Sequence, residues 1–296
     1  MHKRRRKLRF IFLTLIFLYS VFLSFQYLEN KKIEIKDKTL VKLFLHDSFH
    51  IKDKDDYMKK AFNVLVRINS SYDNLVEPKK LVQKKVKTKE IRKPLVYIYN
   101  THQKEEYLPN QFNEYSIKPT VMMPSYIMEE ILNTKSIYTI VEENSINEIL
   151  KENNWNYAGS YKASRILIEE AKKKNPSLKY FIDVHRDSVK HDKTAVTINN
   201  KAFAKLLFII GLENPHYEDN LLFTNKINEK INKYYPGLSR GIYKKKGIGV
   251  NGVYNQDNNK YTILIEVGGK ENTIDEVMNA TIAFIKCFEE VIKGEG

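Results

Sequence analysis

Histidine and acidic side chains follow three short apolar runs of the sequence. His102 and Glu105 come after the apolar residues 95–99, and His185 comes at the end of a second run. The spacing H-x-x-E lets both side chains turn towards one ion, and a histidine from another strand would complete a His2Glu set with an open coordination position. Because this donor set is typical of a catalytic zinc site, zinc is the cofactor we expect.

Glu266 follows a third apolar run and fits the role of a catalytic base. A carboxylate in so apolar a strand is costly without a polar partner. Bound zinc lowers the pKa of a coordinated water to about 7 and polarises a carbonyl, which leaves a proton acceptor to be supplied. Arg186, next to His185, is the candidate for stabilising an oxyanion.

Two features of this site stay open at the level of sequence. Glu106 and Glu114 are alternatives to Glu105 as the third ligand. Asp183 shares a strand face with His185, and it either orients that imidazole or forms an ordinary buried hydrogen bond. A lone histidine at a strand end is more often structural than a ligand, so the prediction depends on three groups meeting at one sheet edge.

The elements that must bring these groups together alternate between strand-like and helix-like patterns beyond Pro94. This alternation predicts an α/β fold with a mostly parallel, twisted sheet flanked by helices. Ligands of such sheets bind beyond the carboxyl ends of the strands, where the candidate groups lie. The predicted strands are residues 95–99, 137–141, 178–184, 203–210 and 261–267. The predicted helices are residues 160–171 and 220–231, one with Pro124 in its first turn, and one that begins with a Thr273/Glu276 capping box.

Two familiar sequence patterns are rejected. His185-Arg186-Asp187 has the letters of a kinase catalytic loop, but the glycine-rich stretch 247–252 comes after it rather than before it. That stretch follows three lysines rather than a strand, and no helix comes directly after it. We therefore expect a flexible active-site loop rather than a dinucleotide-binding turn.

Composition narrows the class of protein further. The chain carries 50 Lys and Arg against 36 Asp and Glu, a net charge of +14, and six of the basic residues lie among the first nine. The remaining +8 is spread among many acids without a basic face interleaved with aromatics, so nucleic acid is not an expected partner. Cys287 is the single cysteine, which excludes an intramolecular disulfide and a cysteine-based zinc cage. Histidines and carboxylates must therefore hold any metal.

The N-terminal part of the chain predicts a membrane anchor. Residues 10–28 carry no charge over 19 positions, nearly enough for a helix across a bilayer core. The basic tail 1–9 is expected in the cytoplasm, so the rest of this single-pass cell-membrane protein is expected to be extracytoplasmic. A cleaved signal peptide is the alternative, but the run offers no A-x-A-like site. Residues 29–93 indicate a stalk and linker, and residues 94–296 a catalytic domain.

Beyond Pro94 the sequence resembles the stage II sporulation protein P family of cell-wall hydrolases. The resemblance rests on six blocks in order, which are YIYNTHQKE (97–105), WNY (155–157) with SYKASR (160–165), IDVHRDS (182–188), PGLSRGI (236–242), YNQD (254–257) and LIEVGG (264–269). An anchor before the domain agrees with the layout of this family.

The resemblance implies a zinc-dependent N-acetylmuramoyl-L-alanine amidase, which cleaves peptidoglycan between the glycan and the first residue of the stem peptide. It also implies an endopeptidase activity and a role in septal wall remodelling during engulfment in sporulation, with the stage II sporulation proteins D and M as partners. On the matching positions, His102 and His185 are metal ligands, Glu105 is the third ligand and Glu266 is the catalytic base. Glu106 stands where a small hydroxyl residue is common in the family.

Two other functions compete with this one. The first is a wall-binding scaffold without hydrolytic activity, which would bind the wall and release no product. The second is a carboxypeptidase-like zinc enzyme that uses the same ligands on free peptide ends. Product masses from defined muropeptides would separate the second alternative from an amidase.

Overall fold

The computed structural model describes residues 93–108 and 119–294. These residues form a six-stranded sheet flanked by helices and a separate two-stranded hairpin. The strands are β1 (Val96–Tyr99), β2 (Thr139–Val141), β3 (Tyr180–Asp187), β4 (Ala195–Ile198), β5 (Lys201–Ala204), β6 (Leu206–Gly211), β7 (Ser239–Lys245) and β8 (Thr262–Gly269). The helices are α1 (Met122–Thr134), α2 (Ile146–Glu152), α3 (Ser160–Lys174), α4 (His191–Thr194), α5 (Tyr217–Tyr234) and α6 (Ile274–Lys293).

The six-stranded sheet has the order β2-β1-β3-β8-β6-β7. Four of its strand pairs are parallel, and β6 pairs antiparallel with β8. The predicted fold, a mostly parallel α/β sheet flanked by helices, is confirmed. Because β1, β3 and β8 run in the same direction, their carboxyl ends share one edge of the sheet, as the sequence predicts.

Helices cover the two faces of this sheet differently. On one face α6 packs against β6, where the ring centroids of Phe284 and Phe208 are 6.3 Å apart. On the other face α3 covers β1 and β3 through a cluster whose members are all buried: Tyr97, Tyr99, Ile168, Ala171 and Phe181. Strands covered on both faces have nearly continuous apolar sequences, which is why β1, β3 and β8 are easy to recognise.

The predicted strand 203–210 is two strands that belong to different sheets. β5 pairs antiparallel with β4, whereas β6 joins the main sheet. Lys205 separates them, because its N–H donates to Thr194 O (2.6 Å) while its carbonyl accepts from Gly268 N (2.8 Å). The apolar residues 203–210 therefore belong to two strands with different pairing partners, and the residue pattern does not reveal the change.

Other helices and strands begin and end close to their predicted positions, and four were not predicted. The capping box that begins α6 is present, with both the Thr273 and the Glu276 hydrogen bonds formed. The unpredicted helices and strands are α2, α4, β4 and β7. Because β7 ends at Lys245, the glycine stretch 247–252 does follow a strand, contrary to the expectation from sequence. The first element after it is a single 3-10 turn, Gln256–Asn258.

The predicted anchor, stalk and linker lie outside the described residues. Within 93–108 and 119–294, no helix is long and apolar enough to cross a membrane.

Candidate metal centre

His102, Glu105 and His185 lie together at the carboxyl ends of β1 and β3. Their ligand atoms all lie within 4.8 Å of one another. His102 Nδ1 is 3.5 Å from Glu105 Oε1, and His185 Nδ1 is 3.6 Å from Glu105 Oε2. Atoms bound to one tetrahedral zinc ion have separations of this size. The structure therefore brings the three predicted ligands to one point.

The turn after β1 is held by its own polar side chains. The Asn100 amide donates to Val121 O (3.0 Å) and to Val184 O (2.8 Å), which ties the turn to α1 and β3. Within the turn, Glu105 N donates to His102 O (3.0 Å). This tight turn places the two side chains of the H-x-x-E pair on the same side.

Asp183 is fully buried beneath the His185 imidazole. It accepts hydrogen bonds from Thr101 N (2.9 Å) and Thr101 Oγ1 (2.7 Å). His185 Nε2 lies 3.0 Å from Asp183 Oδ1, although the two atoms do not have hydrogen-bond geometry. A carboxylate beside the remote nitrogen of a metal-binding histidine orients the ring and raises its basicity. This position fits the orienting role considered for Asp183.

The electrostatics of the cluster favour a cation. Burial disfavours ionisation of Glu105, but hydrogen bonds with His102 and His185 hold the pKa of this carboxyl well below its ordinary value. Burial lowers the pKa of His185, yet Asp183 and Glu105 outweigh it and raise the pKa to about 10. The carboxylates therefore stabilise positive charge at the His185 ring. Zinc can supply that charge in place of a proton, and two imidazole nitrogens with one carboxylate are ligands that zinc accepts.

Two tyrosines of the α3 region flank the imidazoles. Tyr161 stacks on His185 with ring centroids 6.3 Å apart, and Tyr157 stacks on His102 at 4.7 Å. Tyr157 is 61% exposed, so its outer face is open to solvent. Sequence reasoning assigned no role to either residue, although Tyr157 and Tyr161 occur four residues apart within the recognised segments WNY and SYKASR.

Glu266 lies beside the cluster on β8. It is in register with His185, and side chains in register on neighbouring parallel strands share a face of the sheet. Its Oε2 atom is buried and has no hydrogen-bond partner among the described residues. Burial raises the pKa of Glu266 to about 7, and the nearby Asp187 carboxylate adds to this shift. The predicted base is therefore next to the predicted ligands, with an unused oxygen.

Asp187 and Arg240 extend the site and were not predicted. Arg240 Nη1 on β7 donates to Asp187 Oδ2 (2.6 Å) on β3. Burial opposes ionisation of Asp187, but this bond and two backbone N–H groups lower its pKa. Alternation along the strand places Asp187 on the face of His185, which sequence could have revealed. Nothing local in the sequence indicates that Arg240 reaches it.

Arg186 forms hydrogen bonds that stabilise the ligand turn, which is the turn after β1 that carries His102 and Glu105. Its Nε donates to Glu106 O (2.7 Å) and its Nη1 to Asp187 O (3.1 Å). Its backbone N–H donates to Glu105 Oε2 (3.1 Å), which orients that carboxylate. The oxyanion role of Arg186 stays a prediction, since these contacts are all with the protein itself.

The alternative third ligands differ from Glu105 in position. Glu106 is exposed, and it is outside the set of three clustered donors. Glu114 lies outside the described residues. Glu105 is thus the carboxylate that the described structure brings to the two histidines.

Fold and site together define an α/β protein with a candidate metal-binding centre at the carboxyl edge of its parallel strands. The sequence matches the family described as Stage II sporulation protein P (SpoIIP) over residues 25–289, and the chain belongs to that family. This match begins well before Pro94, where the resemblance of the sequence blocks starts.

One relative is the stage II sporulation protein P of Bacillus subtilis (strain 168). It is 34% identical over 205 residues, which cover 67% of this chain and 51% of the relative. The chain therefore spans about half the length of the curated relative that it matches.

Two solved structures align with this chain at low sequence identity. The CwlD amidase from Clostridioides difficile, solved in complex with the GerS lipoprotein, has a TM-score of 0.45 and 14% identity, over 68% of this chain and 99% of that one. A metallo-carboxypeptidase from Burkholderia cenocepacia has a TM-score of 0.39 and 9% identity, over 70% and 59%. No residue role follows from these likenesses.

Proposed function

We propose that this protein is a zinc-dependent peptidoglycan hydrolase that acts as an N-acetylmuramoyl-L-alanine amidase. The observation that carries the proposal is the convergence of three donor groups within 4.8 Å, with Glu266 in register beside them. Membership of the stage II sporulation protein P family supports the cell wall as the substrate.

In this proposal His102, Glu105 and His185 hold the zinc ion. When bound, zinc supplies Lewis acidity for a carbonyl oxygen and for an attacking water. The protein contributes a rigid arrangement of the ligands, because Asp183 and the backbone N–H of Arg186 fix His185 and Glu105 from behind. Such outer contacts commonly change metal affinity or activity by about 10–100-fold when removed.

Glu266 moves the proton in the proposed reaction. Burial raises the pKa of Glu266 above its ordinary value, which makes this carboxylate a stronger base than a solvated glutamate. Glu266 takes a proton from the attacking water and delivers one to the leaving amide nitrogen. Its buried and unpartnered Oε2 is available for this exchange.

The setting of the reaction is also part of the proposal. Residues 10–28 would anchor the chain in the cell membrane, with residues 29–93 as a stalk and the domain from residue 94 outside the cytoplasm. An extracytoplasmic domain would meet the septal wall directly during sporulation. The stage II sporulation proteins D and M are proposed partners there.

Digestion of purified cell wall by the full-length protein tests this function. We expect zinc-loaded protein to release stem peptides, detected by mass spectrometry, and chelator treatment to abolish release until zinc is restored. Release that is insensitive to the chelator would refute the metal-dependent mechanism. The product masses also decide the bond: free stem peptides indicate an amidase, cleaved cross-links an endopeptidase, and loss of single terminal residues a carboxypeptidase. Binding to the wall without products would instead favour a scaffold.

A further inference from the structure

The sheet face that carries His185 and Glu266 is divided into two parts. The packed half is the part of β1 and β3 beneath α3, with Tyr97, Tyr99 and Phe181 buried against that helix. The open half is the same face of β8, β6 and β7. Its side chains, identified by strand register, are Glu266, Leu207, Ile209, Tyr243 and Lys245. Tyr243 is 60% exposed and Leu207 is partly buried, whereas Ile209 is buried in a cluster with Tyr254 and Leu264. This half is therefore accessible from solvent at Leu207, in register with Glu266, and at Tyr243.

Lys245 is held at the far side of the open half. It is in register with Gly211, and its carbonyl accepts from Leu212 N (3.0 Å). Its ammonium lies 5.8 Å from the ring centroid of Tyr243 and 5.9 Å from that of Tyr254. The partly buried side chain is thus fixed between two aromatic rings, on the same face as Glu266.

The Lys245 ammonium has no acidic counterpart in the described part of the chain. The other cation on this face, Arg240, is bound to Asp187. Lys245 forms no such pair, although partial burial makes an uncompensated charge costly. Tyr254, beside the ammonium, contacts Tyr161 with ring centroids 5.3 Å apart, and Tyr161 stacks on His185 at 6.3 Å. The ammonium therefore lies at the edge of the aromatic cluster that surrounds the site, and its charge also lowers the pKa of Glu266. An anionic group of the substrate would complete its environment.

We propose that Lys245 binds a carboxylate of the peptide part of the substrate and holds that peptide along the open half. This inference rests on the proposed function, because it assigns the peptide side of the same site. A peptide bearing free carboxylates is the complementary ligand for an ammonium set between tyrosines. The glycan would then extend from the opposite side of the centre, towards Tyr157.

The neighbouring lysine provides a matched control. Lys244 is exposed and, by strand alternation, points to the opposite face of the sheet. Lys245→Gln and Lys244→Gln remove the same charge one residue apart. The substrates are two soluble muropeptides that differ only in having free or amidated stem carboxylates.

We expect Lys245→Gln to raise KM about tenfold for the free-carboxylate muropeptide, the effect of losing one charge-assisted contact. KM for the amidated muropeptide should stay within about twofold, and Lys244→Gln should resemble the wild type on both. Any effect of Lys245 on Glu266 acts equally on both substrates, so the ratio of the two KM values isolates carboxylate binding. Lys245→Arg should keep the preference for free carboxylates.

Equal losses on both muropeptides, or equal losses in Lys244→Gln, would overturn the inference while leaving the hydrolase function intact. If the wild-type protein cleaves neither muropeptide, the proposed function fails. Calorimetric binding of the same two muropeptides then tests the inference separately. Equal affinities of the wild-type protein for the two would overturn it, and weaker binding of the amidated one that depends on Lys245 would support it.

Discussion

The packed half and the open half of the same sheet face differ in what surrounds their polar groups. Beside the packed half, Tyr161 stacks on the His185 imidazole. The ligand turn is held by the hydrogen bonds from Thr101 to Asp183. On the open half, Glu266 has an unpartnered oxygen and Lys245 an unpaired ammonium, as judged over the described residues. Rigid packing suits metal ligands, whereas unsatisfied groups suit contact with a substrate.

The comparison therefore predicts two kinds of defect. Substitutions next to the packed half should lower metal occupancy, and activity should fall as a consequence. Substitutions on the open half should lower turnover or substrate binding while the metal stays bound. Measuring bound zinc and rate for each variant separates the two kinds.

The largest effect is expected from loss of a ligand. His185→Asn should lose bound zinc and reduce wall hydrolysis about 1,000-fold or more, because two remaining donors hold the ion poorly. Elemental analysis of the purified variant measures the metal directly. A variant with a full equivalent of zinc would remove His185 from the ligand set.

Glu266→Gln should separate metal binding from turnover. The amide lacks a proton-accepting oxygen of comparable basicity, so the rate should fall about 100-fold or more while zinc content stays at the wild-type level. Glu152→Gln, on the exposed end of α2, is the matched control and should be fully active. If Glu266→Gln loses its zinc, Glu266 is a ligand and the distinction between the two halves fails.

Thr101→Val tests support from beneath the packed half. It removes the hydroxyl that donates to Asp183 and leaves the backbone bond in place. Zinc affinity should fall about tenfold, and excess zinc should restore most of the rate. Thr101→Ser keeps the hydroxyl and should behave as the wild type. A rate loss that excess zinc does not correct would place the Thr101 effect outside metal binding.

The raised pKa of Glu266 predicts a pH-dependent stability in metal-free protein. Burial raises this pKa from 4.5 to about 7, so the folded state binds a proton more tightly than the unfolded state does. The stabilisation is complete below pH 4.5 and is lost as pH rises through 7. Between pH 5 and pH 8, the Tm of chelator-treated wild type should therefore fall about 5–10 °C more than that of Glu266→Gln. Parallel curves for the two proteins would contradict the raised pKa.

The smallest effect is expected at Tyr157, on the exposed side of His102. Tyr157→Ala should weaken zinc binding only about two- to threefold, because a stacked ring that is mostly exposed contributes little. Tyr157→Phe keeps the stack and should match the wild type. A larger loss in KM than in zinc affinity would indicate direct contact between Tyr157 and the substrate.

Much of this site could be predicted because the local signals were strong. Apolar runs followed by His102, His185 and Glu266 identified strand ends, and parallel strands bring their ends to one edge. The contribution of Arg240 could not be predicted, since its contact with Asp187 depends on where β7 lies relative to β3, three positions away in the order of the sheet. The division of residues 203–210 between two sheets was missed for the same reason, because pairing partners are far apart in the chain.

The sequence by itself determined the α/β pattern, the donor types available to a metal and the family to which the chain belongs. Those properties follow from periodicity and residue chemistry, which are local. Only the tertiary structure decided that Glu105 rather than Glu106 faces the histidines, and that Lys245 and Glu266 share an open surface. These facts depend on which way a turn closes and which strands become neighbours, and packing across the whole sheet sets both.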